Sequence, residues 1–235
     1  MRYARALVEG RLIRRYKRFL ADVQLPEGVV TASCPNTGSM MGCCEPGSRV
    51  WLSESDSATR KYRHTWEIVE VDRDVMVGIN TSLPNALVAE AIGDGTIGEL
   101  AGYSSVRREV SFGEERSRVD FLLEGAAREP CYVEVKNVTA AASRGVALFP
   151  DCVSERGSKH LRELIRLKAR GARPVQLYCV QRGDVKEVRP ADGIDFEYGR
   201  TLREAIAAGV EVLAYRAKVT PDEVRLEEKI PVVCA

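Results

Sequence analysis

The chain has 235 residues, 45% of them hydrophobic and 29% charged, and a formal net charge of +1 at pH 7. These are the fractions of an ordinary globular protein, enough for one large domain or two small ones. No stretch reaches the ~18 apolar residues of a membrane span, and the basic N-terminus lacks the apolar core of a signal peptide, so the expected location is the cytoplasm.

Residues 1–80 read as all-β, with candidate strands Ala4–Val8, Arg11–Val23, Val29–Ala32, Arg49–Ser53, Thr65–Val71 and Val75–Ile79. Turn residues separate them, notably in Pro35-Asn-Thr-Gly-Ser39 and Glu45-Pro-Gly-Ser48, and five or so short strands suggest a small OB-like barrel. A second domain, residues 81–235, opens with a helix at Leu83–Ile92 that carries an early proline. Strands follow at Val106–Phe112, Ser117–Glu124 and Cys131–Thr139, then a helix at Ser154–Arg170 with Leu161, Leu164, Ile165 and Leu167 as its apolar stripe. A strand at Pro174–Gln181, a helix at Tyr198–Ala208 and a strand at Val210–Lys218 complete the order, so the fold class is α/β with α+β character overall.

The second and third strands of this domain read as a hairpin across Gly125-Ala-Ala-Arg-Glu-Pro130. Centred near Ala127, it sets Asp120 opposite Glu134, and period-two alternation puts Lys136 on the same face. Two nearby carboxylates repel unless a proton or cation sits between them. Mg²⁺ or Mn²⁺ suits hard oxygen ligands and keeps water for chemistry, with the lysine to orient that water. Asp120, Glu134 and Lys136 are therefore candidate catalytic residues for phosphodiester hydrolysis. The same three types also build an ordinary surface ion pair.

The seven cysteines, at 34, 43, 44, 131, 152, 179 and 234, contain no CxxC and are expected to be reduced thiols. Cys34, Cys43, Cys44 and His64 form a poor zinc set, because adjacent cysteines chelate badly.

The order αβββαβ, with Asp on the second strand and ExK on the third, resembles the core of the PD-(D/E)XK nuclease superfamily. Nearly the whole chain resembles the sugar fermentation stimulation protein A family. The residues that carry the likeness include Arg15-Tyr-Lys-Arg-Phe-Leu-Ala-Asp22, Cys34-Pro-Asn-Thr-Gly-Ser-Met40, Glu99-Leu-Ala-Gly-Tyr103, Ser117-Arg-Val-Asp-Phe121, Val133-Glu-Val-Lys136, Phe149-Pro-Asp151 and Glu155-Arg-Gly-Ser-Lys-His-Leu-Arg-Glu-Leu164. The resemblance implies an OB-like N-terminal domain, a nuclease-like C-terminal domain, non-specific DNA binding and a link to the regulation of sugar use. The family usually has histidine before its Cys-Pro-Asn, where this chain has Ser33.

Many nucleases of the superfamily place a further acid on the first helix, which makes Glu90 a third candidate metal ligand; Glu109 on the next strand is the other possibility. The second helix of such enzymes presents polar groups at the rim, so Arg156 and His160, four apart, are candidates to grip a phosphate. In the first domain, Arg14, Arg15, Lys17, Arg18 and Lys61 are the candidate DNA-binding cations, and Tyr16, Phe19 and Tyr62 the aromatics available for stacking. Two functions follow: a metal-dependent nuclease acting on DNA with little sequence preference, or a non-catalytic DNA-binding regulator that keeps a nuclease fold.

Overall fold

A computed structural model describes residues 1–112, 117–126, 128–143 and 145–234, with backbone alone at 112, 117 and 143. The barrel strands are β1 (Val8–Tyr16), β2 (Leu20–Leu25), β3 (Gly28–Ser33), β4 (Arg49–Glu54), β5 (His64–Val71) and β6 (Val75–Gly78). They pair in the order β3-β2-β1-β4-β5-β6, and a parallel contact of Ala32 with His64 and Ser33 with Thr65 closes the sheet on itself. Leu12, Val23, Val50, Leu52, Trp66 and Val69 fill the interior.

Two expectations for this domain fail. Residues 4–7 are not a strand. The expected single strand Arg11–Val23 is a hairpin, β1 turning into β2 through Lys17, Arg18 and Phe19. Lys17 and Arg18 adopt positive φ of 48° and 66° there without glycine or asparagine, so no residue type announced the turn.

The second domain runs α1 (Pro84–Gly93), β7 (Ser105–Phe112), β8 (Ser117–Gly125), β9 (Arg128–Val138), β10 (Ala141–Ser143), β11 (Gly145–Phe149), α2 (Glu155–Ala169), β12 (Arg173–Val180), β13 (Val185–Pro190), α3 (Phe196–Ala207), β14 (Glu211–Val219) and β15 (Val224–Ile230). Its main sheet has the order β15-β14-β12-β9-β8-β7, and β10, β11 and β13 form a small separate sheet. The αβββαβ order is present, with β10, β11, β13 and β15 as additions the sequence reading missed.

α1 buries Pro84, Leu87, Val88 and Ala91, one helical stripe, in a core shared with Phe121, Val133 and Val135 of the sheet and Trp51 and Ile68 of the barrel. The strands α1 itself packs on are β9, β12 and β15 of the main sheet. On the opposite face of the sheet, α2 and α3 pack Leu161, Leu164, Tyr198 and Leu202 against Tyr178 and Val180. Ser154 caps α2, accepting from the Gly157 N–H at 3.1 Å, and Asp195 caps α3 while also accepting from the Ser154 N–H at 2.7 Å. No helix among the described residues is long and apolar enough to cross a membrane.

Candidate functional site

The expected hairpin centre, Ala127, lies outside the described residues. Away from the turn the register is the expected one, Phe121 pairing with Val133, Leu122 with Tyr132 and Leu123 with Cys131. Next to the turn it shifts by one, Gly125 pairing with Arg128, and Asp120 and Glu134 themselves are not a ladder pair. Past Phe121 the two strands part. β9 continues against β12 to Val138, where Gln176 stands beside Glu134 and Tyr178 beside Lys136, while β8 stays with β7 through Val119 and Arg118. Asp120 and Glu134 stand at the mouth of this fork.

Backbone groups freed at a fork need partners. Here a side chain supplies one, because Asp120 Oδ2 accepts the Val135 N–H at 2.7 Å. Its Oδ1 accepts from Asn85 Nδ2 at 2.7 Å, and the same amide reaches Glu109 Oε1 at 3.4 Å. Asn85 sits in the first turn of α1, so the helix start is tied to the fork. Sequence reasoning missed Asn85, whose only signal was its place directly after Pro84.

Glu134 is 4% exposed. An ionised carboxylate at that depth needs partners to offset lost hydration. Lys136 Nζ donates to its Oε1 at 2.7 Å, and His160 Nδ1 meets the same oxygen. Arg156 Nε donates to His160 Nε2 at 3.4 Å, so both ring nitrogens are engaged. Gln176 Nε2 donates to the Glu134 carbonyl at 3.2 Å. The second carboxylate oxygen, Oε2, is buried and has no hydrogen-bond partner.

The two acids are poised differently. Burial raises the Asp120 carboxyl above the ordinary aspartate range, helped by the charge of Glu134 and opposed by the Val135 and Asn85 hydrogen bonds. Burial lifts Glu134 too, but the His160 hydrogen bond and the Lys136 ammonium together outweigh it and hold the group below the ordinary glutamate range. Tyr178 and Tyr198, fully buried and joined hydroxyl to hydroxyl at 2.6 Å, floor the region on the α3 side.

Not every sequence candidate comes here. Glu90 faces away, its carboxylate bonded to the Met1 amino group at 2.8 Å. It lies five residues beyond Asn85, about 140° around the helix at ~100° per residue, so the two cannot serve one site. Glu109 is the acid that does approach Asp120, through Asn85 and with a positive φ of 53°. His160 is buried, with both ring nitrogens engaged, so it holds Glu134 in place rather than gripping a phosphate.

The barrel cations divide similarly. Arg15 Nη2 donates to the carbonyls of Arg18, Asn36 and Gly38 at 2.8, 2.9 and 2.8 Å, and Arg18 Nε to that of Thr37 at 2.9 Å. These two guanidiniums build the Pro35–Gly38 loop. Arg14 pairs with Asp22 at 2.8 Å, Lys61 lies 5.5 Å from the Tyr62 ring centroid, and Lys17 is exposed at the turn. The loop itself abuts the second domain: Ser39 Oγ and the Met40 N–H donate to Asp151 Oδ2, each at 3.1 Å. A cavity of about 100 Å³ between loop and sheet is lined by Asn36, Thr81, Asn137 and Asp151 among others.

Comparison with known proteins agrees with this two-part architecture. Residues 13–79 match the SfsA N-terminal OB domain and residues 82–223 the sugar fermentation stimulation protein RE domain. The sugar fermentation stimulation protein homologue of Thioalkalivibrio sulfidiphilus is 60% identical over 99% of this chain and 98% of its own. That of Geobacter metallireducens is 60% identical over 99% of this chain and its full length. A solved structure, Pyrococcus furiosus SfsA in complex with Ca²⁺, superposes with a TM-score of 0.88 at 28% identity, covering 99% of this chain and 98% of that one. By fold, sequence and the extent of both matches, the chain belongs to the sugar fermentation stimulation protein family.

Proposed function

We propose that this protein is a divalent-metal-dependent nuclease that acts on DNA with little sequence preference. The observation that carries the reading is the buried, unpartnered Oε2 of Glu134 beside a second acid whose ionisation burial and Glu134 both oppose. A cation at the fork would satisfy the first and reverse the second. The donor set fits a hard ion. Asp120 and Glu134 would hold it, with Glu109 near enough through Asn85 to join. Among the described residues no three His, Cys, Asp or Glu side chains close around one point; Mg²⁺ and Mn²⁺ commonly complete such a shell with water and substrate oxygens. That the Pyrococcus furiosus relative was solved with Ca²⁺ supports a site for such ions in the family.

When bound, the ion supplies Lewis-acid polarisation of a phosphodiester and an acidified water. The protein's part is positional. His160 and Lys136 fix one oxygen of Glu134, which leaves the other without a partner and able to ligate. Lys136 carries a positive charge beside the place where negative charge builds on a phosphate in attack. Asn85 and the Val135 N–H hold the Asp120 carboxylate in one orientation. Arg156, Lys17 and Lys61 are exposed cations able to meet flanking phosphates, which gives affinity that falls with salt and reads little sequence.

The test is Mg²⁺- and Mn²⁺-dependent cleavage of labelled single-stranded, duplex and branched DNA by the wild type, Asp120→Ala and Lys136→Ala. Cleavage lost in both variants with DNA binding retained supports the reading. Tight DNA binding without cleavage in the wild type would instead make the protein a DNA-binding scaffold.

A further inference from the structure

The β1–β2 turn presents an aromatic ring to solvent. Phe19 is 51% exposed and follows the two cations of the turn, Lys17 and Arg18. The other two aromatics of the basic surface are engaged. Tyr16 donates its hydroxyl to Asp22 at 3.1 Å and lies under the Arg14 guanidinium at 5.0 Å, and Tyr62 is covered by Lys61. Phe19 is the most exposed of the three.

The turn is held firmly. The Phe19 carbonyl accepts the Cys34 N–H at 2.7 Å, the Arg18 carbonyl accepts from Arg15, and the Arg18 side chain donates to Thr37. The loop that receives these bonds is fastened in turn to Asp151. The approach is tight enough that a Cβ on Gly38 would lie 2.8 Å from Asp151 Oδ2. Asp151 leads through Cys152 and Val153, which is 69% exposed, into the N-terminus of α2, the helix that carries Arg156 and His160 to Glu134. Hydrogen bonds thus join the turn, through the Thr37–Met40 loop, to the segment that leads into α2. Phe19, Val153 and Arg156 are exposed along this connected stretch, and Arg156 reaches His160, which meets Glu134.

A fixed, exposed ring flanked by cations matches an unpaired nucleotide: the base lies on the ring and the phosphates beside the ammonium and guanidinium groups. Duplex bases are stacked on each other and offer no free face. We propose that Phe19 is a stacking platform for an unpaired base flanking the cleavage position, so that the substrate is DNA with a single-stranded segment. This rests on the nuclease reading above and adds the form of DNA to it.

The test uses the full chain in metal-free buffer with oligonucleotides carrying 2-aminopurine, as single strand, as duplex and as duplex with an unpaired tail. The wild type, Phe19→Ala and Phe19→Trp are compared, with thermal unfolding as a control on folding. The expected result is fluorescence quenching in the single strand and the tail, lost in Phe19→Ala with about tenfold weaker binding of those two forms. Phe19→Trp retains both, and duplex affinity is unchanged throughout. Equal single-strand affinity and quenching in the wild type and Phe19→Ala would overturn the proposal while leaving the nuclease reading intact. Failure of the wild type to bind any of the three DNAs would overturn both.

Discussion

His160 on α2 and Lys136 on β9 share one oxygen of Glu134, leaving the other oxygen of that buried carboxylate without a protein partner. The arrangement makes His160 a positioning residue. His160→Ala should weaken Mn²⁺ binding and cleavage about 10- to 100-fold, the usual size of such outer-shell losses. His160→Gln, which keeps a donor, should recover part of it. A Mn²⁺ titration of both variants separates this from a phosphate contact, which would weaken DNA binding and leave metal affinity alone.

The poise of the two acids fixes the sign of the pH response. Asp120 lies above its ordinary range, so in the metal-free protein its contribution to stability is present below that range and is lost as pH rises through the raised value. Glu134 lies below its ordinary range; its contribution is present above that range and is lost as pH falls through the lowered value. Metal binding needs both ionised. Affinity for Mg²⁺ should therefore fall as pH drops through the raised Asp120 value, and Asp120→Asn should remove that step. Titrations between about pH 4 and about pH 8 check this, and a flat profile for the wild type would contradict it.

Arg15 ties the loop together through its backbone carbonyls. One terminal nitrogen serves three carbonyls, and losing it strands several partly buried acceptors. Arg15→Ala should cost about 2 kcal/mol, read from urea unfolding. Arg15→Lys should recover little of it, since an ammonium lacks the planar fork.

Glu90 gives the opposite expectation. Its carboxylate serves Met1 and not the fork, so Glu90→Gln should leave Mn²⁺ affinity and cleavage within about twofold of the wild type. Glu109→Gln, near Asp120 through Asn85, should weaken both. Metal titration and a cleavage rate for each variant settle the assignment.

The contrast between Glu90 and Asn85 shows where a sequence stops being legible. The nearness of Asp120 to Glu134 could be read because the hairpin register fixes Phe121 opposite Val133, next to both acids. β9 could be recognised by its period-two alternation and β12 by its apolar run. The side of α1 that meets the fork was not encoded locally. It depends on how the helix seats on β9, β12 and β15, which only tertiary packing decides. The turn at Lys17–Arg18 was hidden for a different reason. The barrel imposes positive φ on two residues that carry no turn signal, so alternation appeared to run on through it. His160 was placed on the right helix, but its burial against Glu134 was not legible, because one residue's rotation separates a solvent-facing imidazole from a buried one.

The central claim is that Glu134 holds a divalent cation through the oxygen that Lys136 and His160 leave open. The most direct measurement is calorimetric titration of Mn²⁺ into the wild type and Glu134→Gln, with thermal unfolding confirming that both are folded. Saturable binding in the wild type, weakened at least about tenfold in Glu134→Gln, is the predicted result. Equal binding by the two proteins, or none by the wild type, would contradict it.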